Sequence, residues 1–239
     1  MRATQLKTGG PFHGSRWLNL LGMDHGAANS TIVIVNLPPD RLDDRLDEAM
    51  DIYVAAMGYP RGSAKQRGLH VRKHAGYDSF RFRAAVNPGG RMLAFGYGYT
   101  CLPGQWWHDL VTKAVGRRGG SWLDHAFELS ELHVTPSAQG LGIGERVLRS
   151  LADDLPHRSM VLSTPEGDNR AWRLYRRVGF VDLARNHLFP GDHRPFGVLG
   201  AWLPFDELPV VRPRRGLADP EPRGSSGMRP PDGGTTRGC

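Results

Sequence analysis

Cysteine is nearly missing from this chain: Cys101 and Cys239 are the two among 239 residues. Two thiols cannot build a cysteine metal site or a disulfide framework, so no metal is expected. Their scarcity suits a reducing compartment, and the expected location is the cytoplasm. Cys101 closes an apolar run and reads as a small core residue. Long hydrophobic runs are lacking as well. The longest apolar stretch near the start, Trp17 to Met23, is broken by Asn19; it is short for a secretory leader and far too short for a bilayer. No membrane partner is expected. Acidic residues are outnumbered, 24 against 31 Lys and Arg, for a net charge of +7. That excess sits mostly at the ends: residues 1–30 carry a net +2, residues 210–239 a net +3, and the 179 between them only +2. A nucleic-acid binder carries its cations on the folded surface, so no nucleic acid is expected as a partner.

What is present describes one sizeable globular domain, with 39% hydrophobic and 23% charged residues. Residues 1–30 are glycine-rich and polar without periodicity, and read as a disordered arm. From Val210 onward there are five Pro, six Gly and six Arg but no aromatic residue. Such a segment buries too little surface to offset its ordering entropy, so 210–239 reads as a disordered tail. The domain is therefore expected at 31–209. Within it, Thr31 to Asn36 is β-branched and apolar, a buried strand. Pro38-Pro39-Asp40 opens a helix whose apolar residues, from Leu42 to Met57, recur at helical spacing until Gly58 ends it. A poorer helix is expected between Gly62 and His74. Strands Phe80–Val86 and Arg91–Thr100 flank the hairpin turn Asn87-Pro88-Gly89-Gly90. Residues 103–120 interrupt the pattern with Trp106-Trp107-His108. Ala126–Val134 is a strand, Gly140–Asp154 a helix, Met160–Thr164 a strand and Asp168–Val178 a helix; Phe180–His187 and Gly197–Leu203 close the series as strands. This order predicts an α/β fold with a mixed sheet.

The chemistry-bearing feature is Gln139-Gly140-Leu141-Gly142-Ile143-Gly144, which follows a strand and opens an amphipathic helix. Glycines allow close backbone approach, and the first turn of a helix offers unpaired N–H donors at its positive end, so this is a phosphate cradle. No Lys-Ser or Lys-Thr follows the last glycine, which excludes a nucleotide P-loop. The spacing is not G-x-G-x-x-G, and no acidic residue follows at ribose distance on a second parallel strand, which argues against a dinucleotide fold.

These residues resemble the GNAT superfamily of N-acetyltransferases: Gln139, Gly142 and Gly144 fit its (Arg/Gln)-x-x-Gly-x-(Gly/Ala) signature for the acetyl-CoA pyrophosphate. Downstream, Arg170-Ala171-Trp172-Arg173-Leu174-Tyr175 and then Val178-Gly179-Phe180 are similar to the family's second helix, with its Tyr five residues before a strand-opening Phe. The resemblance covers residues 31–204. It implies a mixed, mostly antiparallel twisted sheet of about seven strands with about four flanking helices. It also implies acetyl-CoA as co-substrate, an amine acceptor on a small molecule or protein, and a monomer or homodimer. A non-catalytic acyl-CoA sensor is the alternative, since a fold does not establish activity.

By position, the backbone of Leu132, His133 and Val134 takes the family's pantetheine-holding role. Where the family commonly has Asn seven residues before the Tyr, this chain has Asp168, able to cap the helix, with Asn169 beside it. Glu131 and Glu128 are the strand carboxylates that could serve as general base, three apart and on opposite faces unless a bulge intervenes. Glu166 is a third candidate. Tyr175 is the expected general acid, because a phenol stays protonated at neutral pH and can donate to a departing thiolate. Trp106, Trp107 and His108 read either as an aromatic wall for the acceptor or as a plug holding the insertion down.

Overall fold

The computed structural model describes residues 31–116 and 120–205. The arm expected at 1–30 and the tail expected at 210–239 lie outside the described residues. The elements are β1 (Val33–Asn36), a 3-10 turn (Pro39–Asp44), α1 (Leu46–Met57), α2 (Ser63–His74), β2 (Arg81–Val86), β3 (Met92–Cys101), α3 (Trp106–Val115) and the single turn α4 (Gly120–Leu123). Then follow β4 (Ala126–Val134), a 3-10 turn (Pro136–Ala138), α5 (Ile143–Ala152), β5 (Ser159–Pro165), α6 (Arg170–Val178), β6 (Val181–His187) and β7 (Phe196–Trp202). One seven-stranded sheet runs β1-β2-β3-β4-β5-β7-β6. Every neighbouring pair is antiparallel except β4 with β5, which is parallel. The mixed, mostly antiparallel sheet expected from the sequence is the one found.

Two expectations are corrected. The helix opened by Pro38-Pro39 begins as a 3-10 turn and becomes α only at Leu46, ending at Gly58 with φ 65°. The interruption at 103–120 contains a full helix, α3, which buries Trp107, Val111 and Val115 at four-residue steps. Its start is tied down locally: the Asp109 carboxylate accepts from Gly104 N–H at 3.0 Å, and the Gln105 side chain accepts from Leu102 N–H at 2.8 Å. With α3 included, the described residues hold five helices of nine or more residues.

The sheet is covered on both faces. Val147, Leu148 and Leu151 of α5 and Trp172, Tyr175 and Val178 of α6 pack with one core cluster. On the other face, α1 covers Phe82, Phe95 and Tyr97. There α3 packs with Cys101, Ala126, Val161 and Val198. Cys101 is 2% exposed, as a core thiol should be. Gly98 of β3 allows a close approach: a Cβ there would lie 2.2 Å from Glu128 O and 2.4 Å from the Phe127 ring. At that point β4 bulges. Tyr97 pairs with Glu131 and Gly98 with Leu129, which leaves Ser130 as the extra residue.

Candidate active site

The bulge bends β4 away from β5. Their parallel pairing is recorded only from Ala126↔Ser159 to Glu128↔Val161, while β4 stays with β3 up to Val134 and β5 with β7 up to Pro165. From Leu129 onward the β5-facing edge of β4 has no strand partner among the described residues. Between the separated strands lies a cleft of about 1520 Å³. Its walls include Leu132, His133 and Val134, the turn at residues 138–145, and Tyr175.

Past β4 the chain turns through Pro136–Ala138, then Gly140 at φ 85° and Gly142 at φ 75°, and enters α5. A left-handed φ is strained for any residue with a Cβ, so Gly142 suits its place as N-cap. The first bond into the helix is Arg146 N–H to Gly142 O at 3.2 Å, so the N–H groups of Ile143, Gly144 and Glu145 lack intrahelical acceptors. Gln139 braces the turn. Its amide donates to Val134 O at 3.2 Å and accepts from Arg170 at 2.7 Å. Leu141 is exposed, whereas Ile143 is in the core at 2% exposure.

Opposite the turn, α6 is capped by Asn169, whose side chain accepts from Trp172 N–H at 3.0 Å. Asp168 is not the cap. It is exposed, pairs with Arg173 at 2.5 Å, and faces a shallow depression outside the cleft, while Asn169 lies on the cleft wall. The Tyr175 ring packs 5.4 Å from that of Phe180, and no described residue hydrogen-bonds its hydroxyl. Burial, with Glu131 adding to it, raises the Tyr175 pKa above the ordinary phenol value.

Because Ser130 is inserted, Glu128 and Glu131 share one face, opposite Tyr99 and Tyr97. Their environments differ sharply. Burial would push the Glu131 carboxyl up, but a hydrogen bond with His133 and the charge of Arg67, 3.0 Å away, more than offset it and hold it below the usual range. Glu128 is pushed up to about 8 by burial, with the Glu131 charge adding to it; a hydrogen bond from Tyr99 at 3.0 Å opposes the shift. Its Oε2 is buried without any partner among the described residues. Glu166, the third carboxylate expected, is out of the site: Arg185 (2.9 and 3.0 Å) and Asn186 N–H (2.6 Å) hold it toward β6.

Trp107 is mainly the plug: 7% exposed, its indole N–H donates to Ser163 at 3.0 Å. Trp106 is 61% exposed and leans on Phe189 at the cleft mouth. His108 is outside the cleft lining and contacts Asp109. Several cleft groups escaped the sequence reading: Tyr53, Arg67 and His74 on α1 and α2, Tyr99 on β3, and Ser130. The Tyr97-x-Tyr99 alternation was the one visible signal. Arg67 and His74 sit on a helix too polar to show which side faces inward.

Comparison with known proteins agrees with this architecture. The sequence model of the acetyltransferase (GNAT) family matches residues 77–180. A GCN5-like protein acetyltransferase of Mycobacterium tuberculosis is 38% identical over 204 residues, taking in 73% of this chain and 99% of that protein. The chain belongs to the GNAT family of acetyltransferases. Solved structures resemble it in fold at low identity. One is the ribosomal-protein-S18-alanine N-acetyltransferase of Escherichia coli, with TM-score 0.52, 17% identity, and 74% of this chain and 97% of that one covered. Another is a Salmonella typhimurium protein described as an acetyltransferase and solved with its cofactor acetyl-CoA, with TM-score 0.50, 13% identity, and coverage of 76% and 99%. This GNAT chain is accordingly an acetyltransferase enzyme. No helix among its described residues is long and apolar enough to cross a membrane.

Proposed function

We propose that this enzyme moves the acetyl group of acetyl-CoA to a primary amine carried by a protein, at a lysine side chain or an N-terminus. The observation that carries the amine reading is the cleft carboxylate Glu128, with one oxygen partnered by Tyr99 and the other by nothing described. A buried acceptor without a partner is costly, and an ammonium N–H is the donor it lacks. The relative at 38% identity is named as a protein acetyltransferase, which favours a protein as the carrier.

The residues present fit acetyl-CoA. The first-turn N–H groups of α5 would hold the pyrophosphate, and the absence of a side chain at Gly144 would keep the approach clear. A Cβ there would lie tight against Val134 at 3.3 Å and in ordinary contact with Leu174 at 3.5 Å. The partnerless edge of β4 at Leu132, His133 and Val134 can pair with amide groups of the pantetheine as it would with a strand. When bound, acetyl-CoA supplies a thioester with a good leaving group. Glu128 takes a proton from the incoming ammonium, since only the free amine attacks. Glu131 stays ionised against Arg67 and His133 and attracts the cation. Tyr175, on the cleft wall and still protonated, donates to the sulfur as it gains charge.

The test is thiol release from acetyl-CoA in the presence of lysine-bearing peptides, free-N-terminal peptides and small amines. Release with a peptide amine, lost in Glu128→Gln, is expected. A protein that binds acetyl-CoA yet transfers to none of these amines would overturn the reading.

A further inference from the structure

A base that is 4% exposed must be rid of its proton before each new turnover. The question rests on Glu128 being the base, as proposed above. We infer that Tyr99, Ser130, Tyr97 and His74 form a proton relay leading from Glu128 to solvent at the surface of α2. Three of the four links are direct: Tyr99 hydroxyl bonds Glu128 at 3.0 Å, Ser130 donates to Tyr97 hydroxyl at 3.3 Å, and Tyr97 meets His74 Nδ1 at 3.2 Å. Between Tyr99 and Ser130 the hydroxyls are near enough for Ser130 to lower the Tyr99 pKa against burial. Beyond His74 lies the exposed ring of His70, 6.4 Å away.

The bulge explains the layout. Tyr97 and Tyr99, two apart on β3, point to one face, and the inserted residue brings a hydroxyl between them. Ordinary alternation already puts residue 130 on the face of Glu128, and the bulge keeps it there while bringing Glu131 round to join it. Hydroxyls suit a relay because each can accept one proton while giving up another. Burial and the nearby carboxylates raise both tyrosines well above the usual phenol value, so neither is lost as phenolate. His74 is lowered to about 4 by burial and by His70, Arg67 and Lys73 on its own helix, against the opposing charge of Glu131 on β4. It is neutral at physiological pH and holds a proton only in passing.

The balance is a single proton. An N–H bond of the ammonium breaks as an O–H forms on Glu128. The carboxyl, turned to donate to Tyr99, passes that proton on; Tyr99 gives its own to Ser130, Ser130 to Tyr97, and Tyr97 to His74 Nδ1. The Nε2 proton of His74 leaves to water or buffer.

A broken relay predicts a particular kinetic shape, because an ionised Glu128 can serve one turnover unaided. Rapid-mixing assays of thiol release should be run a unit above the Glu128 value of about 8 on His74→Phe, His74→Gly and Ser130→Ala. The expected result is a burst of one thiol per active site at the wild-type rate, then a steady state slowed roughly tenfold or more. Binding of acetyl-CoA and melting temperature should stay near wild type. Free imidazole, with the enzyme-free background subtracted, should speed the slow phase of His74→Gly but not of Ser130→Ala. Equal loss of first and later turnovers, or wild-type kinetics throughout, overturns the relay. Glu128→Gln separates the two failures: wild-type activity in that variant removes the base itself, whereas an inactive Glu128→Gln beside burst-free relay variants removes the relay alone.

Discussion

Glu128 and Glu131 lie three residues apart on one strand, yet burial pushes one up to about 8 while His133 and Arg67 hold the other below the usual carboxylate range. Activity should therefore rise with pH through the value of about 8 assigned to Glu128, and Glu128→Gln should abolish that limb with a loss of about a hundredfold or more in kcat/KM. Stability moves the opposite way. The folded carboxyl sits near 8 and the unfolded one near 4.5, so the folded state binds the extra proton between them, and its contribution is lost as pH rises across that window. The melting-temperature advantage of Glu128→Gln over wild type should thus be small near the lower value and widen toward the upper. A constant difference would disprove the shift. Tyr175→Phe keeps the ring against Phe180 and removes only a hydroxyl that nothing described engages. Its kcat should fall roughly tenfold to a thousandfold with little change in acetyl-CoA affinity or melting temperature, measured by steady-state kinetics and calorimetry. The candidate residues were legible from the sequence, but the relation between the two glutamates was not. Strand alternation puts them on opposite faces, and a single inserted residue, admitted by the bare Gly98 across the ladder, reverses that.

Elements were legible where periodicity is strong and hidden where chemistry is mixed. The apolar stripe of α5 and the glycines before it mark their own place, while α3 begins with two tryptophans of opposite fate and includes β-branched residues. Caps follow local geometry that the sequence leaves open: Asp168 and Asn169 are equally good capping types, and only the second meets Trp172 N–H. Asn169→Ala should cost about 1 kcal/mol, read from denaturant midpoints, and Asp168→Ala next to nothing, because its partner Arg173 is a surface one. The reverse order would misplace the helix start. At the other wall, Gly142→Val imposes a left-handed φ on a β-branched residue, a strain of about 1–2 kcal/mol, and crowds the cradle. Calorimetry should show acetyl-CoA affinity down by at least tenfold; unchanged affinity would remove the turn from the cofactor site.

At the scale of the whole molecule, the Mycobacterium tuberculosis relative is matched along 99% of its length by 73% of this chain, so the remainder has no counterpart there. Packing reaches close to both limits of the described residues. Arg146 bonds Ile32 O at 2.7 Å, and the Phe205 ring packs 5.7 Å from Phe180. A chain of residues 31–205 should therefore melt with full cooperativity and keep acetyl-CoA affinity within about twofold, whereas ending before Leu203 should lower the melting temperature by several degrees. Thermal scans of the two truncations decide it.

The parting of β4 from β5 has a bearing on the life of the protein itself. A sheet with a vacancy in its middle carries, while empty, the kind of raw edge that most proteins keep at the margin and shield. Any acyl-CoA that pairs with that edge finishes the sheet, and at a hundred times its dissociation constant it would add about 2.7 kcal/mol to the folded state. The abundance of the enzyme should then follow the cell's acyl-CoA supply, with starvation leaving more of it open to proteases before any gene is turned down.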